Sequence, residues 1–235
     1  MFISKLIEKY SWKFLRKAEP SYKTGKLSWA QQGEDLIIDF IFKWYLQCEN
    51  PFYLDIGAHH PSYLSNTWLF YKKGSRGVNV EADPDLMPNF YKNRKGDINI
   101  NAGVGKEKGM FDFYLMSPST LNTFSKTEAF ALIEKHKNNV SLTEVKSISV
   151  IPVNEILESY FVNVVNYFIS IDVEGMDFEI LQSIDFERFK PPVICIEVNG
   201  KDEDIVVGYL NEKGYLLYAS NCTNCIFLTK DKFPL

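Results

Sequence analysis

Apolar positions along this chain fall into short runs with two different periods. In residues 1–17, Ile3, Leu6, Ile7, Tyr10 and Phe14 recur at helical spacing, and Lys5, Lys9, Lys13, Arg16 and Lys17 fill much of the remainder. That pattern predicts a basic amphipathic helix. Residues 20–26 place Pro, Ser, Thr and Gly in close order and predict a linker. From Ser28 onward, strand-like and helix-like runs alternate. A helix is predicted over residues 36–46, a short buried strand over 52–56 and a helix over 61–72. A strand over 76–80 ending at Glu81 follows, then a helix over 84–94 opening near Pro84, where proline suits a first turn. A third strand is read over 97–104. Residues 110–116 and 147–153 alternate weakly, as strands around a polar excursion, 117–146. The chain closes with a strand over 165–171, a helix over 176–183, a strand over 192–198 and a helix over 202–213. The last two strands, 215–219 and 225–229, are joined by the turn-rich Ser220-Asn221-Cys222-Thr223-Asn224.

Strands that are apolar on both faces and alternate with helices imply a mostly parallel sheet covered on both sides. The fold class expected is therefore α/β and Rossmann-like, with an antiparallel hairpin at one edge. The domain reading is a basic helix and linker over 1–27 and one domain over 28–235. A chain of 235 residues is long enough for a single sizeable core. The excursion 117–146, rich in Ser, Thr, Asn and Lys, reads equally as a lid, an acceptor-binding loop or a surface loop with no role.

Composition narrows the function classes. The formal net charge of −4 argues against nucleic acid as a partner. Of the four cysteines, Cys48 and Cys195 lie in or beside apolar runs and read as core thiols. Cys222 and Cys225 form a lone C-x-x-C without the further ligands a structural zinc needs, and the turn already accounts for Cys222. No signal peptide and no apolar run of membrane-spanning length is evident, so the expected location is cytoplasmic. The helix 1–17 has three readings: packing on its own domain, a homodimer contact, or a peripheral contact with the inner face of an anionic membrane.

Three short segments carry candidate chemistry. Tyr53-Leu54-Asp55-Ile56-Gly57-Ala58 ends a strand in an acidic residue and opens a turn with small residues. Ligands of open α/β sheets bind beyond the carboxyl ends of strands, and small residues admit a close backbone approach. The loop lacks G-x-G-x-x-G and carries an acid where a pyrophosphate would come, which disfavours a dinucleotide. It suits S-adenosylmethionine, which is cationic and has no phosphate. Glu81 ends the next strand, where a carboxylate can accept from both ribose hydroxyls. Asp172-Val173-Glu174-Gly175-Met176-Asp177 places carboxylates together at a strand end, a costly arrangement that points to function. A helix N-cap by Asp177 with solvated neighbours is the plainer alternative.

These segments resemble the FkbM methyltransferases. The resemblance is carried by Ser28-Trp29-Ala30-Gln31-Gln32-Gly33-Glu34-Asp35, by Leu54-Asp55-Ile56-Gly57-Ala58-His59-His60-Pro61 and by Ser65-Asn66-Thr67. Gly77-Val78-Asn79-Val80-Glu81-Ala82-Asp83-Pro84 and Ile171-Asp172-Val173-Glu174-Gly175-Met176-Asp177 complete it. It implies a class I methyltransferase fold and S-adenosylmethionine-dependent O-methylation, often of a sugar or polyketide-type hydroxyl in glycan or natural-product pathways. By that similarity Asp55, Gly57, Ala58, Glu81 and Ala82 face the cofactor, Asp172 and Glu174 sit near the methyl group, and Gln32, Glu34 and Asp35 close over the site. The acceptor is then a small molecule or sugar nucleotide of surface-polysaccharide synthesis.

A hydroxyl must lose a proton as it is methylated, so a general base is expected. The candidates are His60, His59, Asp172, Glu174 and Glu197. A Mg²⁺ held by Asp172, Glu174 and Glu197 is the less favoured alternative. Two other functions compete: a non-catalytic binding module of the same fold, and another Rossmann enzyme such as a nucleotide-sugar oxidoreductase. The acidic cluster counts against the former and the missing glycines against the latter.

Overall fold

The computed structural model describes residues 25–232 apart from 199, 201 and 222. The basic helix read over 1–17 and Cys222 lie outside the described residues. The helices are α1 (Glu34–Trp44), α2 (Trp68–Lys73), α3 (Met87–Asn93), α4 (Lys126–Lys135), α5 (Val153–Tyr160), α6 (Asp177–Ser183) and α7 (Glu203–Glu212). The strands are β1 (Phe52–Ile56), β2 (Gly77–Glu81), β3 (Ile98–Asn101), β4 (Gly103–Gly105) and β5 (Gly109–Ser117). Next come β6 (Ser141–Pro152), β7 (Tyr167–Ile171), β8 (Val193–Glu197), β9 (Tyr215–Ser220) and β10 (Asn224–Thr229). No helix among the described residues is long and apolar enough to cross a membrane.

Seven strands form one sheet in the order β3-β2-β1-β7-β8-β10-β9. Pairing is parallel from β3 through β8, while β10 runs antiparallel between β8 and β9. The predicted Rossmann-like α/β architecture with an antiparallel edge is thus the observed one. Successive residues of each central strand point to opposite faces, and both faces are apolar. Leu54, Ile169, Ile194 and Phe227 join one core, closed by Ile156 and Leu157 of α5, Ile180 and Leu181 of α6, and Val206 and Leu210 of α7. Tyr53, Phe168, Cys195 and Ile226 join the other, closed by Ile38, Ile41 and Phe42 of α1 and Leu69 and Phe70 of α2. Strand order reverses between β1 and β7, so a crevice opens beyond their carboxyl ends.

Three expectations need correction. The helix read over 61–72 shrinks to Trp68–Lys73. Leu64 takes a positive φ of 51°, and the Ser65 hydroxyl accepts from the Trp68 amide at 3.1 Å, so a side chain bonds the backbone that an earlier helical turn would have bonded. The strand read over 97–104 divides: β3 stays in the main sheet, and after Ala102 the chain leaves as β4 to pair with β6. The excursion 117–146 is no irregular loop. It holds a 3-10 turn at Ser119–Leu121, α4 and much of β6, in a three-stranded sheet of order β4-β6-β5. Ala82, Phe113 and Leu115, with Phe124 against them, pin that sheet to the end of β2.

Candidate active site

A cavity of about 330 Å³ lies at the carboxyl ends of β1, β2, β7 and β8. Its floor is set by Gly57, whose φ is +79° and whose amide donates to the Val80 carbonyl at 3.0 Å. A Cβ at Gly57 would stand 1.7 Å from the Asp172 carbonyl oxygen, so only glycine fits. Asp172 is tied back in turn, its amide donating to the Ile56 carbonyl at 3.0 Å. Ala58 packs on Met87 and Phe90 instead of lining the cavity.

Asp55 lies beneath the cavity, not on its surface. Its Oδ2 accepts from the Thr67 hydroxyl at 2.6 Å, and Thr67 Oγ1 accepts from Arg94 Nη2 at 2.8 Å. Burial raises the Asp55 carboxyl above its ordinary range, while the Thr67 bond and Arg94 oppose that rise. Arg94 is fully buried, and all five of its N–H groups are used. Nε donates to Pro61 O, Nη1 to Tyr53 Oη and Asp97 Oδ2, and Nη2 to Ser65 Oγ and Thr67 Oγ1, at 2.8–3.1 Å. Nothing in the sequence pattern marks this hub, because an Arg in a helix's last turn reads as a solvated cation.

Glu81 lines the cavity together with Ala82. Its two oxygens accept from the amides of His59 and Asp83, both at 2.7 Å, leaving one lone pair on each oxygen. Burial pushes its carboxyl up to about 7 against those two bonds. The bond from its amide also holds His59 at a positive φ of 47°. The His59 ring lines the cavity, with Nε2 at 3.2 Å from Ser119 Oγ, and burial lowers its pKa. His60 is placed differently: its Nδ1 accepts from the amides of Ser62 and Tyr63, at 3.2 and 2.9 Å, and its ring lies outside the cavity lining.

The opposite wall is acidic. Asp172, Glu174 and Glu197 line the cavity, and one oxygen each from Asp172, Asp177 and Glu197 lies within 4.8 Å of the others. Asp177 thus stands where the sequence reading put Glu174. Its oxygens accept from the amides of Val173 and Gly175, at 2.9 and 3.1 Å. Burial and then the Glu197 charge raise Asp172. Burial and then Asp172 push Glu174 up to about 8, and burial and then Glu174 push Glu197 up to about 8. A carboxyl raised in the folded state holds its proton more tightly there than when unfolded. Its contribution is present below the ordinary carboxylate range and is lost as pH climbs toward about 8. The melting temperature of the metal-free protein is accordingly expected to fall between pH 5 and pH 8.5; a flat or rising profile in chelator would contradict these environments.

The N-terminal segment and the excursion supply the rim. Gln31 lines the cavity, whereas Glu34 is fully buried and spent on structure: Oε2 accepts from the Gln32 amide at 2.8 Å, Oε1 from Asn221 and Asn224 at 2.7 and 3.0 Å. Asp35 likewise holds Ser28 and Trp29, at 2.6 and 2.8 Å. From the excursion, Ser119, Leu121, Asn122 and Phe124 line the cavity. Asn122 donates to Asp83 at 3.0 Å, and the Thr123 hydroxyl donates to the Glu174 carbonyl at 2.7 Å. Asn66 and Asn224 also reach the lining. Asn66 belongs to the Ser65-Asn66-Thr67 segment that carries the resemblance, whereas Asn224 gave no signal in sequence, since Asn at a strand start is ordinary.

The family model described as "Methyltransferase FkbM domain" matches residues 55–217, more than half of the chain. The chain belongs to the FkbM methyltransferase family. No curated protein matches it. In this FkbM methyltransferase the matched span runs from the first acidic strand end into β9, so it contains Gly57, Glu81, the whole excursion and the acidic wall. Gln31 and Asn224, which complete the lining, fall outside it.

Proposed function

We propose that this FkbM methyltransferase uses S-adenosylmethionine to methylate a hydroxyl of a sugar or sugar nucleotide, in the cytoplasm, in surface-polysaccharide synthesis. The observation that carries the reading is the pairing of Gly57 and Glu81 across one cavity. The glycine leaves its backbone open to a ligand, and the carboxylate keeps a lone pair on each oxygen for vicinal hydroxyls. The chemistry of the donor set fits a cationic cofactor, for Glu81, Asp172, Glu174 and Glu197 line the cavity and no Lys or Arg does so among the described residues. The same lack of cations leaves a nucleotide diphosphate no partner in the cavity, so the neutral sugar end is the part that enters.

When bound, the cofactor supplies an electrophilic methyl group. The chain's own residues position the acceptor and take its proton. His59 is the base in this reading. Its ring lines the cavity, and its lowered pKa keeps the imidazole neutral near pH 7, with a lone pair to accept the proton. Asp172 and Glu174 line the same cavity; burial holds their carboxyls high, and a positive charge placed beside them favours their ionised form, which then balances it. His60 Nδ1, engaged by two backbone amides, holds the turn that carries His59.

Incubation with methyl-labelled S-adenosylmethionine and a panel of sugars, sugar nucleotides and non-sugar alcohols tests the acceptor class. Label is expected on a sugar hydroxyl. Label confined to non-sugar alcohols would replace the sugar by a natural-product hydroxyl.

A further inference from the structure

Three carboxylates converge at the carboxyl ends of β7 and β8. Asp172, Asp177 and Glu197 bring oxygens within 4.8 Å of one another, and among the described residues no Lys or Arg pairs with them. The two amide bonds to Asp177 relieve only part of the repulsion.

Asn224 provides an independent observation. It is the cross-strand partner of Glu197 on antiparallel β10, and directly paired residues project to the same face of the sheet. It lines the same cavity and is 3% exposed. Its Nδ2 donates to Glu34 Oε1 at 3.0 Å and to Thr223 Oγ1 at 3.1 Å, which fixes the amide orientation. The remaining atom, the carbonyl Oδ1, is buried and has no hydrogen-bond partner. Buried carbonyls are nearly always partnered. Asn224 pairs with Glu197 and belongs to the lining that holds the acidic wall, so a positive group seated among these oxygens would supply the partner that Oδ1 lacks.

We propose that Asp172, Asp177, Glu197 and Asn224 form a binding site for a hard divalent cation. All four offer oxygen and none offers nitrogen or sulfur, which selects the Mg²⁺, Mn²⁺ and Ca²⁺ class. Separations of at most 4.8 Å admit one ion of this class: opposite oxygens stand about 4.6–5.2 Å apart around Ca²⁺, and the oxygens need only draw in slightly to reach the spacing of about 4.2 Å around Mg²⁺. The site needs Asp177 and Asn224 and leaves out Glu174. A cation here would meet an acceptor hydroxyl in the cavity and make it easier to deprotonate. That role rests on the transfer reading above; the binding itself does not.

Titration of the chelator-treated full chain with MnCl2, MgCl2 and CaCl2 at pH 8, without S-adenosylmethionine, tests it. One cation per chain is expected from at least one salt, with Mn²⁺ broadening the backbone amide signals of Val173, Gly175 and Val198. Glu197→Gln is expected to weaken binding by at least about tenfold. No binding of any of the three at millimolar concentration, broadening centred elsewhere, or unchanged affinity in a folded Glu197→Gln would overturn the site. The broadening map uses the unaltered chain, so it decides the matter even if the variant fails to fold. A separate titration with S-adenosylmethionine keeps failure of the cofactor reading distinct from failure of this one.

Discussion

Replacing Arg94 by Met is expected to destabilise the protein by about 3–5 kcal/mol, the cost of removing one partner from a buried charged network. For a domain of this size that is a fall in melting temperature of about 10 °C. The physical reason is the completeness of the network. Five buried acceptors would lose their donor at once: Pro61 O, Tyr53 Oη, Asp97 Oδ2, Ser65 Oγ and Thr67 Oγ1. Asp97 would keep the bonds from Tyr53, Gly77 and Asn79, which moderates the loss on that side. Asp55 has only the Thr67 hydroxyl and the Arg94 charge to favour its ionised form, so its carboxyl would rise further. Arg94→Lys is expected to do little better, because three donors on one ammonium cannot replace a five-donor fork. Thermal unfolding followed by circular dichroism checks both; a shift of a few degrees or less would mean that water or repacking satisfies the acceptors.

His59→Asn is expected to lower the turnover of the proposed transfer by about 10²–10⁴ while leaving cofactor affinity within about tenfold. Asn tolerates the positive φ that His59 adopts, so the turn and its amide bond to Glu81 are kept. What is lost is the ring nitrogen beside Ser119. The unaltered enzyme should show an acid limb in its pH–rate profile at a pH below the ordinary histidine value, because burial depresses this imidazole. The limb should be missing in the variant. Turnover within about threefold of the unaltered enzyme would move the base to the acidic wall.

Much of the architecture was legible because the central strands are apolar on both faces, a pattern few other elements share. Phe52–Ile56 was read to the residue, and β7 and β8 within two. The failures are places where side chains or tertiary pairing override local pattern. Residues 61–67 carry apolar residues at nearly helical spacing, yet Ser65 bonds the backbone and Asn66 turns inward to Ser170 at 3.0 Å. Residues 97–104 read as one strand because nothing local shows the chain changing sheets at Ala102. The excursion 117–146 looked structureless because α4 and β6 are largely exposed and therefore polar; their small core rests on Tyr114, Met116, Ala129 and Val140. At the site, the charged and glycine positions and Asn66, within Ser65-Asn66-Thr67, stood out in sequence, while Arg94 and Asn224 did not. Their importance lies in who their partners are, and those partners are distant in the chain.

Cofactor choice is the central claim, and calorimetric titration with S-adenosylmethionine and S-adenosylhomocysteine, with NAD as control, tests it most directly. The account predicts micromolar binding of the first two, none of NAD, and loss of binding in Gly57→Ala, whose added methyl cannot fit against the Asp172 carbonyl. A chain that binds NAD, or neither sulfur compound with or without Mg²⁺, would contradict it.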